Sequence, residues 1–271
     1  MTDTWRLLQT PPARGAWNMA ADEAILESID RRESPATLRL YAWSPPCLSL
    51  GHAQPLADVD LSRLRARGWE VVRRLTGGRA ILHTDELTYS VIAPNEEPRV
   101  AGTVLESYGR LAQALLLAVQ SLELAVVMQE TKPEQQAQNN PVCFEVPSTY
   151  EITVGGKKLI GSAQARRKEG VLQHGSLPLA GDLSRICQAL TYPDEAARRD
   201  AASRLLARAA TVESALGRTV EWAAAAQAFA HAFEQSLDLR LERGELTQKE
   251  ISRTDELVRE KYDHPSWMER A

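Results

Sequence analysis

Two periods alternate along this chain, and the switch from one to the other marks its elements. TWRLLQT, ATLRLYAW and CLSLGH read as short strands, the last two separated by a Ser-Pro-Pro break that proline enforces. In NMAADEAILESI, Met19, Ile25, Leu26 and Ile29 fall close to one face of a helix, and the pattern places Asp22 and Glu23 in its first turn. LADVDLSRLRARGW predicts a short helix ending at Gly68, and EVVRRLTGGRAILHTDELTYSVIAP predicts strand, glycine turn and a further strand or strand pair. TVLESYGRLAQALLLAVQSL carries the strongest amphipathic helical pattern.

ELAVVMQ then returns to a strand pattern, and ETKPEQQAQNNPV is a polar loop. TYEITVGGKKLIGSAQARRKEGVLQHGSLPLA reads as strand, hairpin turn at VGGK, strand, basic turn and strand. Beyond residue 181 the texture becomes alanine-rich and helical, ending in a charged helix whose tail is expected to dock back through Tyr262 and Trp267. The order predicts an α+β fold with mixed, largely antiparallel sheets flanked by helices. It divides into a core over residues 1–181 and a helical C-terminal part over 182–271 that completes or packs on it.

Composition narrows the function classes. A chain of 271 residues with 44% hydrophobic and 25% charged residues has the make-up of a globular protein. A net charge of −4 gives no global basic field for nucleic acid. The first residues lack the layout of a signal peptide, and the longest apolar run is broken by Gln113, Gln120, Ser121 and Glu123. A cytoplasmic protein with no membrane partner is therefore expected; a monomer is the default expectation, although nothing in the sequence fixes the oligomeric state. Cys47, Cys143 and Cys187 form no CxxC pair, and the five histidines show no ligand spacing with them, so neither a disulfide framework nor zinc is expected.

Four features could carry chemistry. Gly77 and Gly78 let the backbone approach a ligand, with Arg73, Arg74 and Arg79 adding positive charge; the bland alternative is a tight turn with solvated arginines. Lys157 and Lys158 begin the return strand of a hairpin on opposite faces, so one of them must point inward. Cys143 sits in a polar, proline-flanked stretch, unlike Cys47 and Cys187, which read as core residues. A reactive thiol needs exposure and a nearby cation, which Lys158 could supply. His83 and His174 each end an apolar strand, where pocket rims lie, although a neutral structural role is the commoner one.

In order along residues 15 to 180, NMAADEAIL, RRLTGGRAILH, DELTYSV, CFEVPSTYEITVGGKKLIGSAQARR and LQHGSLPL resemble the lipoate and octanoate side of the biotin and lipoate protein ligase superfamily. Within it, the chain is most similar to the cysteine-dependent octanoyltransferases of the LipM type. ATP-dependent ligases of that superfamily carry a third glycine in the turn, where this chain has Arg79, and many have aspartate where it has Thr84. The resemblance implies that Cys143 carries the acyl group as a thioester and that Lys158 stabilises the thiolate and the oxyanion. It implies substrate-binding positions at Arg73, Arg74, Gly77, Gly78, His83, Gly161, Ser162, His174 and Gly175. It also implies an octanoyl-acyl carrier protein donor, a lipoyl-domain acceptor such as the glycine cleavage H protein, and no ATP or metal cofactor. Carriers of this kind are acidic, so Arg73, Arg74, Arg79, Arg166, Arg167 and Lys168 are the candidates for a basic mouth. An ATP-dependent lipoate or octanoate ligase, an amidotransferase between lipoyl domains, and a non-catalytic acyl-binding relative are the alternatives.

Overall fold

β1 (Asp3–Gln9) buries Trp5, Arg6, Leu7 and Leu8 in succession, as a strand covered on both faces does. In the computed structural model, which describes residues 3–130, 142 and 150–270, this strand sits inside a mixed sheet. Helix α1 (Gly15–Asp30) follows, then β2 (Thr37–Tyr41) and β3 (Cys47–Leu50). α2 (Leu61–Ala66) leads to β4 (Glu70–Arg73), β5 (Ile81–His83) and β6 (Glu86–Ala93). α3 (Val104–Ser121) opens on a capping box between Thr103 and Glu106, which satisfies amide groups the first turn would otherwise leave unpaired. β7 (Val126–Glu130), β8 (Tyr150–Val154), β9 (Lys157–Lys158), β10 (Gly161–Arg167) and β11 (Gly170–Pro178) come next. The remainder holds α4 (Glu195–Arg208), α5 (Val212–Leu216), α6 (Trp222–Leu237), β12 (Leu239–Arg243), α7 (Gln248–Leu257) and α8 (Pro265–Met268).

Among the described residues the strands form three sheets. The largest runs β10-β11-β6-β2-β1-β12, parallel where β1 meets β2 and β12 and antiparallel elsewhere. β4-β3-β5 and β7-β8-β9 make two smaller ones, so the α+β expectation of mixed, largely antiparallel sheets holds. No helix among the described residues is long and apolar enough to cross a membrane.

Strand alternation decides where the polar residues go. In β6, Leu87, Tyr89, Val91 and Ala93 join the apolar cluster that includes Leu111 and Leu115 of α3 and Phe229 and Phe233 of α6. The intervening Glu86, Thr88 and Ser90 fall on the face covered by α1, beside Arg39 and Tyr41 of β2 and His174 and Ser176 of β11. Polar side chains from three adjacent strands are thereby gathered on one buried face.

Two readings change. Helix α1 starts at Gly15, earlier than its pattern predicts, so Asp22 lies mid-helix and is buried rather than capping the first turn. The C-terminal part is not helical throughout, because β12 pairs with β1. The 150–178 hairpins, by contrast, stand where the alternation placed them, and Tyr262 and Trp267 are buried against the core as expected of the tail.

Candidate active site

Arg74, buried at the end of β4, is the hub of the polar face. Its Nη1 donates to the carbonyl and to the hydroxyl of Ser49, at 2.7 Å each. Its Nη2 donates to the carbonyls of Gly77 (3.0 Å) and Arg79 (3.1 Å), so one guanidinium clamps both sides of the glycine turn. Gly78 takes a φ of +87° there, a left-handed conformation that favours glycine. The turn lies so close to Gly51 that a Cβ at residue 51 would fall 2.0 Å from the Gly78 carbonyl oxygen.

Two histidines flank this hub in the same manner. His83 Nδ1 is 2.6 Å from Glu86 Oε1, and its Nε2 is 2.6 Å from Ser49 Oγ. His174 Nε2 is 2.6 Å from Thr76 Oγ1, while its Nδ1 faces Asp22 Oδ2 at 3.8 Å. In each ring one nitrogen faces a carboxylate and the other lies within hydrogen-bond distance of a hydroxyl. Ser176 and Thr88 hydroxyls also donate to Glu86, and the Arg39 guanidinium and Ser90 and Tyr41 hydroxyls donate to Asp22. Burial alone would raise the Asp22 pKa, but the Arg39 charge and the His174 contact hold it below the usual carboxylate value. Burial pushes His174 below the ordinary imidazole value.

Over this network lies a small, partly open cleft. Tyr41, Trp43, Ile81, Ala163 and Gly175 give it apolar walls, and His83, His174 and Ser162 supply polar atoms. Trp43 stacks on His83 with centroids 3.9 Å apart and donates Nε1–H to Thr88. Gly175 lets the walls close: a Cβ there would fall 2.5 Å from both the Gly161 carbonyl oxygen and Ser162 Oγ. The Tyr89 hydroxyl, 2.8 Å from Ser162 Oγ, has its pKa raised by burial to about 12 and stays protonated.

Lys158 is the inward member of the hairpin pair. It is buried, and its Nζ lies 3.1 Å from Glu151 Oε1 on the neighbouring strand β8. Lys157 points outward and donates to the Leu206 carbonyl at 2.7 Å. Three residues after Lys158 the chain reaches Gly161 and Ser162 in the cavity wall. Cys143 lies outside the described residues; Val142, its immediate predecessor, is buried and bridges to Ala80 just after the glycine turn.

Comparison with known proteins gives this geometry a family. The lipoyl protein ligase A/B catalytic domain matches residues 14–234. The chain belongs to that family. It is 42% identical to octanoyltransferase LipM of Moorella thermoacetica over 99% of this chain and 98% of the relative. Among solved structures, a bi-partite lipoate protein ligase of Thermoplasma acidophilum superposes with a TM-score of 0.81 at 25% identity, covering 100% of this chain and 98% of that one. A lipoate-protein ligase A bound with ATP gives a TM-score of 0.77, also at 25% identity, covering 100% and 99%.

Within this lipoyl ligase fold, the positions singled out in the sequence meet different fates. Arg74, His83, Gly161, Ser162, His174 and Gly175 all line the cavity, and Gly77 and Gly78 form the exposed turn that Arg74 holds. Arg73 and Arg74 do not form a charged mouth, because both side chains are buried. Arg73 instead donates to the carbonyls of Gly51, His52, Gln54, Trp267 and Met268. Asp22, Ser49, Thr76, Glu86 and Ser176 escaped the reading. One signal was available: Asp22 falls three residues before Ile25 and after Met19, on the side of the helix that the apolar residues mark as buried, where a charge needs a partner. Arg39, alone within LRLYAW, carried the matching one.

Proposed function

We propose that this chain transfers an octanoyl group from octanoyl-acyl carrier protein, through a thioester on Cys143, to a lysine of a lipoyl domain such as the glycine cleavage H protein. The observation that carries the reading is the near full-length similarity to an octanoyltransferase, together with a buried lysine three residues before the strand that walls a largely apolar cleft.

In the first half-reaction the Cys143 thiolate attacks the thioester carbonyl, and the tetrahedral oxyanion collapses to expel the carrier's pantetheine thiolate. In the second, a lysine amine attacks the Cys143 thioester, loses a proton and expels the cysteine thiolate. One thioester is exchanged for another and then for an amide, so neither ATP nor a metal enters the balance. Lys158 supports the thiolate and the oxyanion as a nearby cation, and Glu151 orients its ammonium. The apolar walls favour the octanoyl tail by roughly 0.8 kcal/mol for each buried methylene.

Intact-protein mass spectrometry with octanoyl carrier protein, octanoyl lipoyl domain, or octanoate plus ATP tests the reading. We expect one octanoyl adduct from the carrier protein, released by hydroxylamine and missing from Cys143→Ala. An adduct formed only with octanoate and ATP, or one that survives in Cys143→Ala, points to a ligase and overturns the thioester route. An adduct formed only from the octanoyl lipoyl domain assigns the donor to that domain instead.

A further inference from the structure

The end of the chain brings charge to the glycine turn from far away in sequence. Trp267 donates Nε1–H to the Arg73 carbonyl at 3.0 Å, and Arg73 donates Nε–H back to the Trp267 carbonyl at 3.1 Å. Against the Trp267 ring lie the His52 imidazole, edge-on at 5.7 Å, and the Arg270 guanidinium at 5.0 Å. The His52 amide donates to the Thr76 carbonyl at 2.9 Å, and Arg167 reaches the Leu75 carbonyl at 3.4 Å. Leu75 and Thr76 are the two residues that lead into Gly77, so the three basic side chains ring one end of the glycine turn.

The positive charge there is not cancelled locally. Arg167 and Arg270 are exposed and form no ion pair among the described residues, whereas the nearby Lys261 is neutralised by Glu23 at 2.7 Å. Burial first, and then the charges of Arg270, Arg167, Arg73 and Lys261, hold the His52 imidazole below its ordinary value. Lys168, one residue past Arg167, belongs instead to a groove lined by Glu96, Glu97 and Glu169. On a chain of net charge −4, the patch beside the turn is a local exception.

We propose that Arg167 and Arg270, flanking the uncharged His52 ring, form the docking surface for the acidic carrier domain that delivers the acyl thioester. The proposal rests on the carrier-donor reading above. An acidic carrier is repelled by the chain as a whole, so attraction focused at one patch decides where it lands. The patch borders the turn whose Arg74 clamp lines the acyl cavity, which sets the carrier's thioester at the cavity rather than elsewhere on the surface.

The test compares two donors on Arg167→Glu/Arg270→Glu: octanoyl carrier protein and the small thioester octanoyl-pantetheine. At low salt, the ratio of kcat/KM for the carrier to that for the small thioester should fall about tenfold. Arg167→Lys/Arg270→Lys should restore it, and raising salt should shrink the wild-type ratio. An unchanged ratio overturns the docking surface alone. A rise in KM for the lipoyl-domain acceptor with no change for the carrier also overturns it, assigning the patch to the acceptor. Wild-type enzyme that accepts octanoate plus ATP but neither thioester overturns the donor reading itself.

Discussion

At the scale of single residues, buried charge is met by an opposite charge, as at Lys158, or by carbonyl oxygens, as at Arg73. Lys158 is paired with Glu151 and lies three residues before the strand that walls the cleft, which suits the fixed cation proposed above rather than a solvated one. Cys47 and Cys187 are fully buried, and burial pushes the Cys47 thiol well above its ordinary value, so neither competes with Cys143 for an alkylating reagent. Lys158→Ala should therefore slow iodoacetamide labelling near neutral pH, with Lys158→Arg recovering most of the rate. Equal rates in all three proteins would remove Lys158 as the activating group. His174 makes a separate statement about pH. Its folded pKa lies below the unfolded 6.5, so between those two values the unfolded chain binds more protons. Its contribution to stability is complete above pH 6.5 and is lost as pH falls through the folded value, with a slope of at most about 1.4 kcal/mol per pH unit. Urea melts from pH 7 to 5 should show this decline, and His174→Gln should flatten it; a parallel decline in the variant would assign it to other groups.

At the scale of elements, legibility follows the distance over which a signal acts. The 150–178 hairpins and α3 were readable because alternation, a glycine turn and amphipathic period are local, and the structure places them there. The start of α1 was not. Its first amide, on Gly15, is met at 3.2 Å by the Glu70 carboxylate, a partner 55 residues away that no N-cap pattern announces. The β12 strand was missed for a similar reason: LRLER is short and charged, and only its pairing with β1, more than two hundred residues upstream, makes it a strand. The site divides likewise. Glycines and histidines at strand ends were legible as cavity residues, whereas the carboxylates and hydroxyls that orient the histidines are ordinary until β2, β6 and β11 lie side by side. Arg73 and Arg74, adjacent in sequence, looked alike. Strand alternation sends one to the C-terminal tail and the other to the glycine turn.

At the scale of the whole molecule, the division at residue 181 meets a core that both parts build. β12 extends the main sheet beyond β1, and Lys158 bridges to Ala209. Phe229 and Phe233 of α6, both fully buried, pack on Tyr89 with centroids 6.1 and 6.2 Å away. On the opposite face, Arg6 of β1 and Glu250 of α7 form a buried ion pair of 2.7 Å. Burying a large apolar side chain contributes about 1.5–3 kcal/mol, so losing Phe229, Phe233, Leu237 and Leu239 together removes on the order of 6–12 kcal/mol. That is comparable to the whole stability of a typical domain, about 5–15 kcal/mol. Removing the second part also takes away Glu250, the ion-pair partner of Arg6, together with the residues that bury it. A chain ending at Gly181 should therefore lack a cooperative urea transition and show the poorly dispersed amide spectrum of an unfolded protein. Supplying residues 182–271 as a separate chain should restore the dispersion, because the missing surface is complementary rather than merely apolar. A sharp, independent transition in the 1–181 piece would instead show that its sheet is sufficient and that the later helices are an addition to a finished core.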